Sequence, residues 1–360
     1  KMIFNTSKKY ILGLFSKILV EVTLIFFALL LITNLFQEIT FFKDSNVSGF
    51  YPIFLAFLNA PSIIMDVLPF IFLISTQLFF IKLSEKGELF VFKYTGLTNI
   101  KILGTIVFFS FFLGIILIFA FYSFSSKLKS HYLEIKNNFT VDKKYLAVIT
   151  SNGFWIKDEI NETVSLTNAE KINNNLLINV SIVQFDNNFN LLRSIDSKEV
   201  DINTKEWILK NPIISKDNST EKVESLILKS NFDLEKINNL FSNLTSMSLL
   251  KINELKKDYF LLGYSTVDIR VYEHKIYSLP IYLAIMTLLS GIIMFNSKHK
   301  KSKILNIILG ILLSVIIYYA NYFSSLLGSN GKMPIILSIW LPLIVLIIIS
   351  TIGLVRLNEK

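Results

Sequence analysis

Six long segments with almost no charged residues constrain the fold of this sequence more than any other feature. A helix needs about 20 apolar residues to cross the hydrocarbon core of a bilayer. Each segment reaches that length, and acids occur only as Glu21 in the first and Asp66 in the second. The first is too long for the apolar core of a cleavable signal peptide, so we expect it to be retained. We predict six transmembrane helices, over residues 12–36, 54–81, 102–126, 276–297, 304–331 and 333–355.

Lysines are concentrated on one side of these segments, which predicts their orientation. The short loops on the other side contain only Lys43 and Lys332. Because positively charged loops stay in the cytoplasm, we expect a multi-pass protein of the bacterial inner membrane with both termini cytoplasmic. The long segment between the third and fourth spans is then periplasmic. The lysines of the cytoplasmic side are Lys1, Lys8, Lys9, Lys82, Lys86, Lys93, Lys101, Lys298, Lys300, Lys301 and Lys303.

Composition and missing motifs exclude several classes of function. Residues 127–274 contain 19 basic and 20 acidic residues, so the net charge of +9 belongs to the membrane-embedded part. A nucleic-acid-binding protein would concentrate its charge on a soluble module instead. There are no cysteines, the three histidines are far apart, and no phosphate-binding loop or nucleophile motif occurs. We therefore expect a non-catalytic chain without a metal or cofactor of its own.

The segment between spans three and four is predicted to be mainly β-structure, because runs of β-branched and aromatic residues alternate with Asn-rich turns. Apolar and polar residues alternate only partially across 178–185, which favours a sandwich or jelly roll with an apolar interior. From 248 to 262 the period becomes helical, with Leu249, Ile252 and Leu255 on one stripe with Tyr259. The predicted strands cover residues 145–150, 154–157, 176–185, 206–210 and 222–228, with turns at 173–175, 187–188 and 217–218.

The cytoplasmic loop between the second and third spans is long enough for about three turns of helix, over about residues 84–96. Gly96 is placed to end this helix in a left-handed conformation. Periodicity favours a solvated helix at the lipid surface, and the alternative is a helix that docks into a cytoplasmic partner. One stripe of the helix consists of Glu85, Glu88, Phe92 and Thr95.

Two further groups of charged residues each allow two explanations. Asp66 lies between Pro61 and Pro69 inside the second span, where an acid is either functional or solvated near the outer end. A basic cluster at the outer ends of the spans either anchors the helices to headgroups or contacts the phosphates of a lipid substrate. The cluster consists of Lys43, Lys127, Lys129, His131 and Lys275.

Several motifs, taken in their order and spacing, resemble the LptF/LptG permease family over nearly the whole chain. Residues 68–98 are similar to the family's proline-containing helix followed by its coupling helix. Segment 153–158, Gly-Phe-Trp-Ile-Lys-Asp, is similar to a strand of the family's periplasmic domain, in a form closer to LptG than to LptF. The remaining motifs are 182–186, 206–209, 273–276, 279–280, 331–334 and 340–342.

This resemblance implies an α-helical membrane protein with a periplasmic antiparallel β-jellyroll inserted between transmembrane helices 3 and 4. Residues 1–126 would contain helices 1–3 and the coupling helix. Residues 127–274 would form the jellyroll and its terminal helical segment, and residues 275–360 helices 4–6.

The resemblance also implies a function, that of a permease subunit of an ABC transporter. Such a subunit extracts lipopolysaccharide from the inner membrane and passes it to a periplasmic bridge toward the outer membrane. The implied partners are an LptF-like permease, an LptB-like ATPase dimer that binds ATP and Mg, and an LptC/LptA-like bridge. The residues implied to couple to the ATPase are Glu85, Glu88, Phe92 and Gly96. Those expected to contact lipid are Lys43, Lys127, Lys129, Trp155, Ile182 and Phe185.

Two other classes of membrane protein compete with this interpretation. Permeases of lipoprotein-release systems usually have four spans with the large domain after the first, unlike the six spans predicted here. A receptor or structural membrane protein would need no ATPase partner, which is the property that distinguishes it.

Overall fold

A computed structural model describes residues 2–43, 48–137, 139, 154–160, 163–173, 175–186, 188–216, 219–234, 237, 243–261, 264–296 and 303–358. The chain divides into two compact units. The helical unit comprises Lys1–Tyr132 and Val267–Lys360, and the sheet unit comprises Leu133–Thr266. The predicted strand over 145–150 lies outside the described residues.

Six helices are long and apolar enough to cross a membrane, which confirms the six predicted spans. The third span bends from α-helix into a π-helical segment, Leu117–Tyr122, and back. A π segment of this kind occurs often at functional sites. The helices are α1 (Met2–Phe41), α2 (Phe50–Glu85), α3 (Glu88–Tyr94), α4 (Asn99–Ile116), α5 (Ser123–Asn137), α6 (Leu249–Leu261), α7 (Val267–Asn296), α8 (Lys303–Ser329) and α9 (Ile335–Asn358).

Helices α2 and α7 form the centre of the helical unit, since more than half of each span is buried. Small and polar side chains hold the helices together, as expected where lipid supplies no hydrophobic driving force. Ser290 Oγ donates to the Leu73 carbonyl at 2.7 Å, and Thr287 Oγ1 donates to Ser110 Oγ at 3.0 Å. Helices α1, α8 and α9 are mostly exposed, which leaves long apolar faces open to lipid or to another protein.

The described part of the sheet unit contains one antiparallel sheet of eight strands. In the sequence this sheet lies between the third and fourth apolar helices, as predicted. The strands are β1 (Phe154–Ile160), β2 (Thr163–Asn173), β3 (Leu176–Phe185), β4 (Leu191–Asp201), β5 (Glu206–Lys210), β6 (Ile213–Lys216), β7 (Ser219–Lys222) and β8 (Ser225–Lys229). Their order in the sheet is β1-β2-β3-β4-β5-β8, and β6 pairs with both β4 and β7.

The sheet curls, because hydrogen bonds join its first strand to the segment that follows its last. Asp158 of β1 is buried and accepts bonds from Ser230 Oγ at 2.8 Å and from the Asn231 backbone N–H at 2.9 Å. The buried face of β3 also changes, from Leu177 on one side of Asn179 to Val180 on the other. Asn179 has a positive φ of 50°. This change of buried face explains why apolar and polar residues alternate only partially along residues 178–185.

Helix α6 has the stripe that the sequence predicts. Ile252 and Leu255 are buried on one face, while Leu250 is exposed on another. The helical period predicted over 248–262 is therefore confirmed.

Candidate functional site

Helix α3 is shorter than the three-turn helix that periodicity predicts. Gly87, with φ of +70°, separates it from α2, so Glu85 belongs to the last turn of α2 and α3 begins at Glu88. A left-handed glycine interrupts the helical path without changing the spacing of apolar residues, and spacing was the only signal available.

The C-terminal end of α3 has the conformation expected from the sequence. Gly96 is left-handed, with φ of +82°. The Leu97 N–H donates to the Phe92 carbonyl at 2.9 Å and the Gly96 N–H to the Lys93 carbonyl at 3.0 Å. These two bonds form a Schellman motif, and burial of both Phe92 and Leu97 supplies its usual apolar contact. The end of α3 is therefore firmly fixed.

Glu88 connects α3 to the first transmembrane helix. Tyr10 Oη of α1 lies 2.8 Å and 2.9 Å from the two carboxylate oxygens of Glu88 and donates to this group. Lys86 Nζ lies 3.6 Å from the same carboxylate. The Tyr10 and Phe92 rings are also neighbours, with centroids 6.3 Å apart. Tyr10 of α1 is therefore next to both Glu88 and Phe92 of α3.

Apolar side chains make up a large part of the exposed surface of α3. Phe90 is 62% exposed, Val91 60% and Tyr94 91%, and their spacing puts them on one side of the helix. Phe92, which the sequence placed beside Glu88 as a partner contact, is only 8% exposed because its ring packs inward. Phe90, Val91 and Tyr94 were not predicted as a contact surface, because the predicted contacts were chosen from the stripe that contains the two acidic residues.

A polar network joins the C-terminal part of α1, the N-terminal part of α2 and helix α5. Lys129 Nζ donates to Asn59 Oδ1 at 2.5 Å and lies 4.5 Å from the centre of the Tyr132 ring. Asn59 Nδ2 donates to Asn34 Oδ1 at 3.0 Å, and Tyr132 Oη donates to Glu38 at 2.8 Å. The Lys129 ammonium is therefore held by the protein, unlike the open phosphate contact predicted for it.

The other predicted basic contacts divide into two groups. Lys43 and Lys127 are exposed, and no ion pair forms on either side chain among the residues that the structure describes. Lys275 instead donates to Asp66 Oδ1 at 2.9 Å, with both side chains about half exposed. Asp66 is thus a paired and partly solvated acid.

A cavity of about 150 Å³ lies beside this ion pair, inside the helical unit. Tyr122, at the end of the π-helical segment, lies 3.3 Å from the Tyr272 hydroxyl, oxygen to oxygen. The Tyr282 hydroxyl and the Asn321 amide nitrogen are buried, and neither reaches a described residue with good hydrogen-bond geometry. The cavity has room for a few water molecules, which would satisfy these groups.

The three predicted lipid contacts of the sheet do not share one surface. Cross-strand pairing aligns Ile182 with Thr167 and Ile195, whereas Trp155 aligns with Asn168 on the opposite face. Ile182 has no exposed surface, while Trp155 is 57% exposed. Phe185 is partly buried next to Phe189, with ring centroids 6.5 Å apart.

Taken together, these features define a multi-pass membrane protein of the permease class. It has six apolar helices, a capped surface helix after the second span and a curled sheet after the third. Residues 9–356 match the family model described as lipopolysaccharide export system permease LptF/LptG. The chain therefore belongs to this family, a transport component. No curated protein matches the sequence.

Proposed function

We propose that this chain is the LptG-type permease subunit of an ABC transporter. In this proposal it extracts lipopolysaccharide from the inner membrane and passes it to a periplasmic bridge toward the outer membrane. The family match over residues 9–356 supports the transport role, and segment 153–158 supports the LptG type. The lysine-rich side is cytoplasmic and the sheet unit periplasmic, by the positive-inside bias.

The observation that carries the proposal is the architecture of α3. A seven-residue helix, fixed at its end by a Schellman motif, presents Phe90, Val91 and Tyr94 to solvent. An exposed apolar patch of this kind usually marks an interaction site. Glu88 joins the same helix to α1 through Tyr10. Docking of an ATPase on α3 would therefore move the first transmembrane helix directly.

ATP hydrolysis takes place in this partner, an LptB-like dimer that binds ATP and Mg. The exposed apolar faces of α1 and α8 receive a second, LptF-like permease, and the two chains enclose the lipid. Lys43 and Lys127, exposed at the outer ends of their spans, contact its phosphates. Removal of a lipid from the bilayer exposes acyl chains at about 0.8 kcal/mol for each methylene, so extraction needs ATP and a protected route.

The curled sheet provides that route in the periplasm. Its apolar interior, with Ile182 and Ile195 buried on one face, shields acyl chains from water when the sheet opens. Trp155 lies on the outer face of edge strand β1, where an LptC/LptA-like bridge would continue the sheet by strand addition.

The test is co-purification of the ATPase with the tagged, detergent-solubilised chain. Wild type should retain an ABC-type ATPase, and Glu88→Lys should lose it because it reverses the charge at the start of α3 and places a second cation beside Lys86. Glu254→Lys is the matched control, since Glu254 is an exposed acid on α6. Size-exclusion chromatography establishes that both variants fold.

Two results would count against the proposal. Absence of an ATPase from the wild-type preparation would favour a receptor or structural protein. Retention of the ATPase by Glu88→Lys at the wild-type level would remove Glu88 from the coupling site.

A further inference from the structure

A groove of about 800 Å³ runs between α1 and α4 at the lysine-rich end of the helical unit. Lys8 and Lys101 lie at its mouth, and Phe108 and Phe112 line its deeper part. The groove adjoins the C-terminal end of α3, is separate from the Asp66 cavity, and is not used by any step of the proposed transport.

The groove has the length of one leaflet. Lys101 and Phe112 are eleven residues apart on the helical path of α4, or roughly 16 Å at 1.5 Å per residue. Half of the hydrocarbon core measures about 15 Å. A ligand with a charged head at Lys101 and a chain reaching Phe112 thus has the dimensions of a membrane lipid.

The floor and wall of the groove suit an acyl chain. A side chain at Gly104 would meet no atom within 4 Å, so the backbone of α4 lies open there. Phe108 is 65% exposed and Phe112 47% exposed, and their ring centroids are 4.5 Å apart. The two rings form a continuous apolar wall below the lysines.

The mouth of the groove suits an anionic headgroup. Lys8 and Lys101 are exposed, and within the described part of the chain neither ammonium forms an ion pair. Two cations above an apolar groove between helices attract the headgroup of an anionic lipid.

We infer that this groove binds one anionic phospholipid of the leaflet on the lysine-rich side, which is the cytoplasmic leaflet in the orientation proposed above. Its headgroup phosphate contacts Lys8 and Lys101, and one acyl chain lies over Gly104 against Phe108. The site is separate from the lipid to be exported, because Lys43, at the other end of α1, is roughly 50 Å from Lys8 along the helix.

The bound lipid would also support α3. Leu97, which closes the Schellman motif of α3, lines the groove itself. A lipid in the groove would therefore pack against the C-terminal end of α3.

Native mass spectrometry of the full-length chain, purified with any accompanying subunits, measures this binding during titration with phosphatidylglycerol. Phosphatidylcholine with the same acyl chains and glycerophosphate are the comparison ligands. The double variant Lys8→Gln, Lys101→Gln should weaken phosphatidylglycerol binding by on the order of tenfold. Gly104→Leu should also abolish it, because the new side chain fills the groove while both charges remain.

Lys9→Gln is the matched control, since Lys9 carries an exposed charge at the same depth and does not line the groove. It should change the affinity by less than twofold. Equal weakening by Lys9→Gln, or equal binding of phosphatidylcholine, would overturn the site in favour of diffuse attraction. Full displacement of the lipid by glycerophosphate, or unchanged binding in Gly104→Leu, would show that no acyl groove is involved.

Discussion

At the scale of single residues, the hydrogen bond from Tyr10 to Glu88 links α3 to the first transmembrane helix. Tyr10→Phe removes the hydroxyl and preserves the ring contact with Phe92. Hydrogen bonds to charged groups contribute about 1.5–3 kcal/mol, and less at an exposed site such as this. We expect ATPase binding to persist and lipid-stimulated ATP hydrolysis by the complex to fall several-fold.

Tyr277→Phe is the control for this change, because Tyr277 is a half-exposed tyrosine on α7 that lies outside the proposed docking surface. Its ATP hydrolysis should stay near the wild-type rate. If Tyr10→Phe behaves like Tyr277→Phe, the link through Glu88 does not transmit the coupling.

Asp186 gives a pH dependence to the hairpin between β3 and β4. Bonds from the Asn190 side chain and the Asn190 and Asn188 backbone N–H groups lower the pKa of this carboxyl. The turn is therefore fully stabilised above the ordinary aspartate pKa of about 3.9 and loses this contribution as pH falls through the lowered value.

Hydrogen exchange of the hairpin between pH 2 and 6 measures this effect. After correction for intrinsic exchange, wild-type protection should drop at the acid end, while Asp186→Asn should show weaker protection without that drop. Parallel behaviour of the two proteins would disprove the role of the carboxylate.

Single residues also mark the limits of prediction from sequence. Gly96 was predicted from its position after an apolar run, because few residues other than glycine adopt a left-handed cap. The Asn34–Asn59–Lys129 network was not predicted, since its members are distant in sequence and their pairing depends on how the helices pack.

At the scale of elements, a glycine fixes the contact between α4 and α7. A Cβ on Gly114 would lie 2.7 Å from the Cα of Pro280, and backbone cannot move aside easily. Gly114→Ala should destabilise the protein by about 1–3 kcal/mol. Gly104→Ala, where a Cβ meets nothing within 4 Å, should be neutral or slightly stabilising.

Thermal unfolding in detergent compares the two variants. A lower midpoint is expected for Gly114→Ala alone. Equal unfolding temperatures for both variants would mean that α4 and α7 can move apart without loss of stability.

The strands differ in how well the sequence predicted them. Leu176–Phe185 and Glu206–Lys210 agree with the predicted bounds because most of their residues are apolar, and many of these are β-branched or aromatic. Thr163–Asn173 and Leu191–Asp201 were not predicted, since both contain many polar and charged residues. Both strands pair with the apolar strand β3, and this pairing stabilises them although their own residues have low β-propensity.

At the scale of the whole molecule, the orientation in the membrane can be tested with introduced cysteines, because the chain contains none. Lys93 and Asn188 are exposed in the helical and sheet units respectively. A maleimide that enters the periplasm but does not cross the inner membrane should label Asn188→Cys in intact cells. It should label Lys93→Cys only after lysis, and the reverse pattern would invert the proposed topology.

In the proposed function, lipopolysaccharide moves from the membrane through the sheet unit when the partner hydrolyses ATP. The most direct test places a photo-crosslinking residue at Trp155, Ile182 or Phe185 in the complex reconstituted with lipopolysaccharide, with exposed Lys205 as control. We expect ATP-dependent lipid adducts at Ile182 and Phe185, with fewer at Trp155 and none at Lys205. Absence of adducts at all of these positions, in a complex that hydrolyses ATP, would contradict the proposed function.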